Sequence, residues 1–417
     1  MSERRKLLLL YICGIALYFF TNLQRSGIPG SLFNELQSGL ALTAAQVTML
    51  GTCFIYIYTF NQLIAGVLND RYGGIRMMIF GAAFFCLGSV LFPLTGSVWG
   101  AYGARIITGF GASFMYLAMV KLSQRLFPET FPQMVGIILL LGYMGNITAN
   151  APLSWLAADI GWRNALLTAG VLTTAIFVFF VLLRRTVTLV PIQDVKINFQ
   201  VYKDFWKIKH NRWMCIYCAS NFSFYFIFQV IIGKKFLEDF CAVSGSTAAM
   251  SMSVMALFAA VSGIICAFLS KALHNRRRCF IRVTGTYSAV ALALLTGCVL
   301  TDIHSPWLLL PVTLFGFTGN LAPITVALLS ETNPPEKTAI AVSFSNFASY
   351  FGVSIGGSCV GFLMEVAAPQ RIGDILVYGK WSYAAVLGFL LLLSLAALRS
   401  VYRIRETYGK NIYSTIE

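Results

Sequence analysis

Charge is what this 417-residue chain has least of: Asp, Glu, Lys and Arg together make up 11% of it, against 58% hydrophobic residues. A soluble domain carries about a quarter charged residues and a disordered segment carries more, so this composition excludes both classes. Histidine is scarcer still, and all three residues, His210, His274 and His304, stand outside the apolar runs. No metal-ligand spacing and no nucleophilic triad can be read among them, which argues against an enzyme and calls for no cofactor and no metal. The ten cysteines lie mostly inside apolar runs. Cys215 and Cys218 form a C-x-x-C on one helix without a second ligand pair, a pattern of packing rather than of metal or redox chemistry. Acids are missing where they would matter most: the sixteen Asp and Glu residues fall in connections, tails or last turns of helices, none in mid-run.

What the chain has instead is twelve apolar runs, from Leu7–Pro29 to Trp381–Leu398, among them Met134–Leu156, Trp213–Gly233, Trp307–Leu329 and Thr338–Met364. Each is near the ~20 residues that cross ~30 Å of hydrocarbon, where only helices and closed barrels satisfy every backbone group. The fold class expected is therefore all-α integral membrane, with twelve transmembrane helices. The N-terminal Glu3-Arg4-Arg5-Lys6 before an apolar run has the look of a secretory leader, but the run passes Phe20 without a small-residue cleavage site and reads as the first span. With the N-terminus placed inside, 23 of the 31 Lys and Arg residues fall in inner segments, which obeys the positive-inside rule and puts both termini in the cytoplasm. The formal +15 then reflects topology and anionic lipid, with the bilayer as partner and no role for nucleic acid. The longest polar stretch, residues 184–212, divides the chain into an N-terminal bundle (1–183), a cytoplasmic linker, a C-terminal bundle (213–401) and a tail (402–417), acting as a monomer.

Between the second and third runs stand Gly66, Asp70, Arg71, Gly73 and Arg76, an acid and two bases among glycines in a turn too charged to be a mere connector. This stretch resembles the signature of the loop between helices two and three in the major facilitator superfamily of transporters, except that Ile75 takes the place of the first base of a basic pair. Arg105, Gly109 and Gly111 resemble the arginine and paired glycines common in helix four of that family, and Gly161-Trp162-Arg163 resembles the opening of its helix six. The C-terminal half is looser, resting on Asn333-Pro334-Pro335-Glu336 and on Gly352, Gly356, Gly357 and Gly361, which packing explains as well as gating. Where a repeat of the charged turn belongs, Ser270-Lys271 to Arg276-Arg277-Arg278 offers lysine in place of the acid. The resemblance implies two six-helix bundles related by a repeat, a gating role for the charged turn and for Arg105, and alternating access to a shared site.

Arg25, behind the aromatic Tyr18-Phe19-Phe20 and beside Asn22 and Gln24, resembles the helix-one arginine of organophosphate and organic-anion carriers, and in that family it holds the anionic head of the substrate. A planar guanidinium suits a carboxylate or phosphate; the alternative is an arginine reaching the outer headgroups. Lys121, Lys234 and Lys235 add positive potential in this reading. Gln62, Asn146, Asn150, Asn221, Tyr225, Gln229, Asn320, Asn346 and Tyr350 complete the candidate binding set, several of them spaced four apart on one helical face. Gln229 stands near where phosphate-ester carriers place a second arginine, which keeps less charged substrates open. Cationic cavities without an internal carboxylate favour a small organic anion, moved across the inner membrane by antiport, by symport or with a proton or counter-anion as coupling ion. The other readings are a proton-coupled drug or metabolite exporter and a non-transporting ligand sensor of the same fold.

Overall fold

The computed structural model describes residues 3–185, 205–241, 243–334 and 337–415. Most of the 184–212 linker, Pro335, Glu336 and the last two residues of the tail lie outside them. The chain forms two compact units, Met1–Ile197 and Asn198–Glu417. Among the described residues eleven helices are long and apolar enough to cross a membrane, and a twelfth span is a pair bent by 40°. Large apolar side chains such as Phe268, Phe362 and Leu392 face outward, 75%, 66% and 65% exposed, as lipid-facing positions do.

The N-terminal unit runs α1 (Glu3–Gly27), a short α2 (Phe33–Gly39), α3 (Ala44–Tyr72), α4 (Gly74–Leu94), α5 (Val98–Leu126), α6 (Phe131–Thr148), α7 (Ala151–Ile160) and α8 (Trp162–Arg184). Thr43 opens α3 with a reciprocal cap to Gln46, and Ser97 caps α5 through the Gly100 amide. The α3–α4 turn needs a residue at φ +83°, and Gly73 supplies it. Close approach of α4 to α5 rests on missing side chains: a methyl on Gly81 would stand 2.7 Å from the Gly111 carbonyl, and one on Gly111 would strike the Phe85 backbone. The run Met134–Leu156 is not one helix. Pro152 removes the amide that would continue the ladder into α7, and Asn150 turns to bond the Asn146 carbonyl at 2.7 Å, so the span breaks into α6 and α7.

The C-terminal unit runs α9 (Lys209–Ile227), a π-helical turn (Phe228–Ile232), α10 (Gly233–Phe240), α11 (Gly245–Ala272), α12 (Arg277–Leu300), α13 (Leu309–Leu314), α14 (Ala322–Glu331), α15 (Thr338–Met364), an antiparallel hairpin of β1 (Gln370–Ile372) and β2 (Ile375–Val377), and α16 (Lys380–Val401). Its core lies between α9, α14 and α16, around Met214, Tyr217, Leu328 and Ala397. Gly352 and Gly356 of α15 meet Ser223 and Ile227 of α9 so closely that added methyls would stand 2.6 and 2.7 Å from them, which assigns both glycines to packing. The run Trp307–Leu329 is also interrupted: a 3₁₀ turn at Phe315–Thr318 separates α13 from α14, whose second residue is Pro323. All ten cysteines are free thiols, Cys215 and Cys218 buried among them.

Candidate functional site

The charged turn builds a cleft of ≈ 260 Å³ in the N-terminal unit, lined by Asn69, Asp70, Arg76, Lys121, Gln124 and Arg125 among others. Asp70 at the end of α3 pairs with Lys121 of α5 at 2.5 Å, both about two-fifths exposed. Arg76 donates to the Tyr72 carbonyl at 3.0 Å, and Arg71 lies over the Tyr72 ring. A methyl on Gly74 would stand 2.5 Å from the Ala118 carbonyl, so the turn sits directly on α5. Gly66 packs loosely on Leu117. Lys121 therefore lies with the charged turn rather than with the polar groups around Arg25.

Arg105 stands apart from that cluster. It is sixteen residues before Lys121 on the same helix, about 24 Å along it at 1.5 Å per residue. Wholly buried, it donates to the carbonyls of Leu50 at 2.9 Å and of Gln24 and Ile28 at 3.2 Å each, with its guanidinium 4.5 Å from the Phe54 ring centre. One side chain thus ties α1, the segment after it and α3 to α5. Arg163 likewise holds the Pro93 and Thr95 carbonyls at the α4 end, both at 2.7 Å.

Near Arg25 in the chain, the unit gathers polar groups from α1, α6 and the segments just after them. Arg25 is 8% exposed and donates from Nη2 to Asn22 Oδ1 at 2.5 Å, while Asn22 donates to the Tyr18 carbonyl at 2.9 Å. Ser26 donates to Asn146 at 2.7 Å, and Ser31 reaches Asn150 at 3.3 Å. Gln24 is buried with its amide nitrogen unpartnered. Gln62 is half-buried on α3. Its neighbour Asn61, which sequence reasoning passed over, donates to Ser113 of α5 at 2.5 Å.

In the C-terminal unit Asn221 donates to the Thr318 carbonyl at 3.1 Å, at the 3₁₀ break, and keeps a buried oxygen unpartnered. Tyr225 lies against Gly319, where any side chain would meet its ring, and Asn320 packs on Gly263 of α11. Gln229 stands in the π turn, 3% exposed, its amide nitrogen unpartnered. Tyr350 meets the Phe222 ring edge-on at 5.2 Å, and Asn346 is exposed on α15. The positive potential expected of Lys234 and Lys235 is cancelled: Lys234 pairs with Glu238 at 3.6 Å and Lys235 with Asp239 at 2.7 Å. Lys235 is fully buried and Asp239 2% exposed, so an acid does lie inside this unit, in the last turn of α10. Lysine and aspartate four apart carried the signal for this pair; nothing local carried its third partner, Tyr383, at 2.8 Å from Asp239.

The Major Facilitator Superfamily model matches residues 11–286 and 214–414. The chain belongs to the Major Facilitator Superfamily. Monocarboxylate transporter 7 of Homo sapiens is 28% identical over 172 residues, 40% of this chain and 33% of that protein, so the match spans a third of that relative's length. The cis,cis-muconate transport protein of Acinetobacter baylyi is 21% identical over 350 residues, 79% of this chain and 81% of that protein. A POT family transporter solved in complex with 5-aminolevulinic acid superimposes with a TM-score of 0.75 at 11% identity, covering 96% of this chain and 95% of that one. As a member of that superfamily, a family of transporters and not of enzymes, the chain is a multi-pass membrane protein.

Proposed function

We propose that this transporter moves a small organic anion by alternating access, with Arg25 as the group that receives its charge. The carrying observation is the burial of Arg25, with one arm held by Asn22 and Asn146 and Ser26 close by in the same unit. A guanidinium inside an apolar span costs several kcal/mol unless partners or function offset it, and an arginine reaching for headgroups would expose its head. The unpartnered amide of Gln24, next to Arg25 in the chain, supplies a neutral donor, which suits a carboxylate better than a phosphate ester. The monocarboxylate and muconate carriers among the relatives support the same class. Asp239 does not favour a proton-coupled exporter, because Lys235 already neutralises it.

Reconstituted in liposomes, the protein is expected to move monocarboxylates or dicarboxylates and to be stabilised by them in solution. Stabilisation without flux would identify a sensor instead, and neither effect with any carboxylate, phosphate ester or amino acid would remove the reading. The localisation that goes with it is an inner, or plasma, membrane with both termini in the cytoplasm. Cysteine-specific labelling is expected to reach single cysteines placed in residues 184–212 and 402–417 only from the cytoplasm, and in the hairpin segment 370–379 only from outside. External labelling of the 184–212 segment would overturn the orientation.

The Asp70–Lys121 pair is assigned the gate. Asp70→Asn removes an exposed pair worth under about 1 kcal/mol of stability, so the fold is expected to survive while turnover falls severalfold at unchanged affinity. Normal turnover in both Asp70→Asn and Arg71→Ala would remove the gating role.

A further inference from the structure

The second half of the chain lacks an acid where the first half has Asp70, since Lys271 follows Ser270 at the end of α11. The structure brings two acids to that place from elsewhere. Glu331, the last residue of α14, accepts from Arg277 Nη2 at 3.0 Å, and Arg277 also donates to Ser270 at 2.8 Å. Glu406, beyond the end of α16, receives the first two amides of α12 on its two carboxylate oxygens, from Arg277 at 2.7 Å and Arg278 at 3.0 Å. A carboxylate across two free amides at a helix start joins a charge-assisted bond to the helix dipole.

The segment around Glu406 is fastened at several more points. Thr407 donates to the second oxygen of Glu331 at 2.5 Å, and the Ile412 amide donates to the Glu331 carbonyl at 2.8 Å. Asn411 donates to the carbonyls of Ser330 and Asn333 at 3.2 and 3.0 Å. The Arg405 amide donates to His210 at 3.3 Å, and Arg278 reaches the Val401 carbonyl at 2.9 Å. Residues 402–412 thus run over the ends of α9, α12 and α14. What they hold most directly is α14, the half-span that the Phe315–Thr318 turn separates from α13.

We propose that residues 402–412 form a detachable strap that supplies the acid missing from the α11–α12 turn and latches α14 to α12. Glu331 is the shared bolt: Arg277 holds it from α12 and Thr407 from the strap. With the strap docked, α14 has fixed partners at its far end. With it undocked, α14 loses Thr407, Asn411 and Ile412 and keeps at that end only Arg277, the Asn211–Asn333 pair and its core packing, so it swings more freely about the 3₁₀ break. The proposal concerns this unit only and holds whatever solute is carried.

The test is hydrogen–deuterium exchange on the full-length protein in lipid nanodiscs, comparing wild type with Glu406→Gln, Thr407→Val and the exposed control Arg276→Gln. Loss of one charge-assisted contact is expected to speed exchange about tenfold in the strap, in the first turn of α12 and in the last turn of α14 together, with α15 unchanged. Arg276→Gln is expected to match wild type. Faster exchange confined to residues 402–412 would show a segment that lies on the bundle without holding it. Faster exchange throughout the unit, or none anywhere, would equally overturn the latch. Thr407→Val keeps the test decisive if Glu406→Gln does not fold.

Discussion

Asp239→Asn is expected to destabilise the protein more than any other single change in its C-terminal unit. The substitution keeps the shape of the side chain but leaves the buried Lys235 ammonium, which also donates to the Leu376 carbonyl at 2.5 Å, without a neutralising charge. It also turns an amide NH2 toward either Lys235 or the Tyr378 amide, both of which are donors. Removing one member of a buried ion pair costs about 3–5 kcal/mol, whereas replacing both members is often nearly neutral. The double variant Lys235→Met with Asp239→Asn is therefore expected to recover most of the loss. Tyr378 and Tyr383 also donate to Asp239, at 2.9 and 2.8 Å, and Leu376 and Tyr378 flank the end of β2, so the pair fastens the hairpin to α10. Thermal unfolding of wild type, both single variants and the double closes the cycle. Additive losses would show that the ion pair is incidental to the hairpin's attachment.

The spans and the family were readable because lipid imposes them locally: a run of ~20 apolar residues has no other soluble fate, and the charged turn after α3 is contiguous in sequence. Breaks within spans were less readable. Pro152 and Pro323 each follow the first residue of a new helix, and both runs looked continuous because proline is common in membrane helices and hydropathy is blind to it. The π turn at Phe228–Ile232 had no local mark at all.

Partnership across distance was the least legible property. Lys121 read as a potential source of positive charge for a binding site, yet its partner is fixed by where α3 ends, 51 residues earlier in the chain. Arg105 matched a motif, but its three carbonyl acceptors lie on segments that only folding brings together. Backbone acceptors have no residue identity, so no sequence pattern can announce them. The missing acid after Ser270 likewise read as a broken repeat, whereas Glu331 and Glu406 reach that place from other elements.

The affinity of the carried anion is expected to depend on Arg25 more steeply than on any other side chain. Asn22 holds one arm of the guanidinium, and the planar shape of the group suits a carboxylate, which can meet a guanidinium in two parallel bonds. Arg25→Lys keeps the charge and loses the fork, so affinity is expected to fall by about tenfold; Arg25→Gln loses both and is expected to fall by up to about a hundredfold, since charge-assisted bonds are worth roughly 1.5–3 kcal/mol. Asn22→Ala frees the arm while leaving the charge in place, so its effect is expected to lie below that of Arg25→Lys. A headgroup anchor makes the opposite forecast, because lysine serves that purpose as well as arginine. Dissociation constants for the anion that best stabilises the wild type, measured on all four proteins, decide between the two. Equal constants for wild type, Arg25→Lys and Arg25→Gln would remove Arg25 from the binding site and, with it, the main reason for preferring an anion.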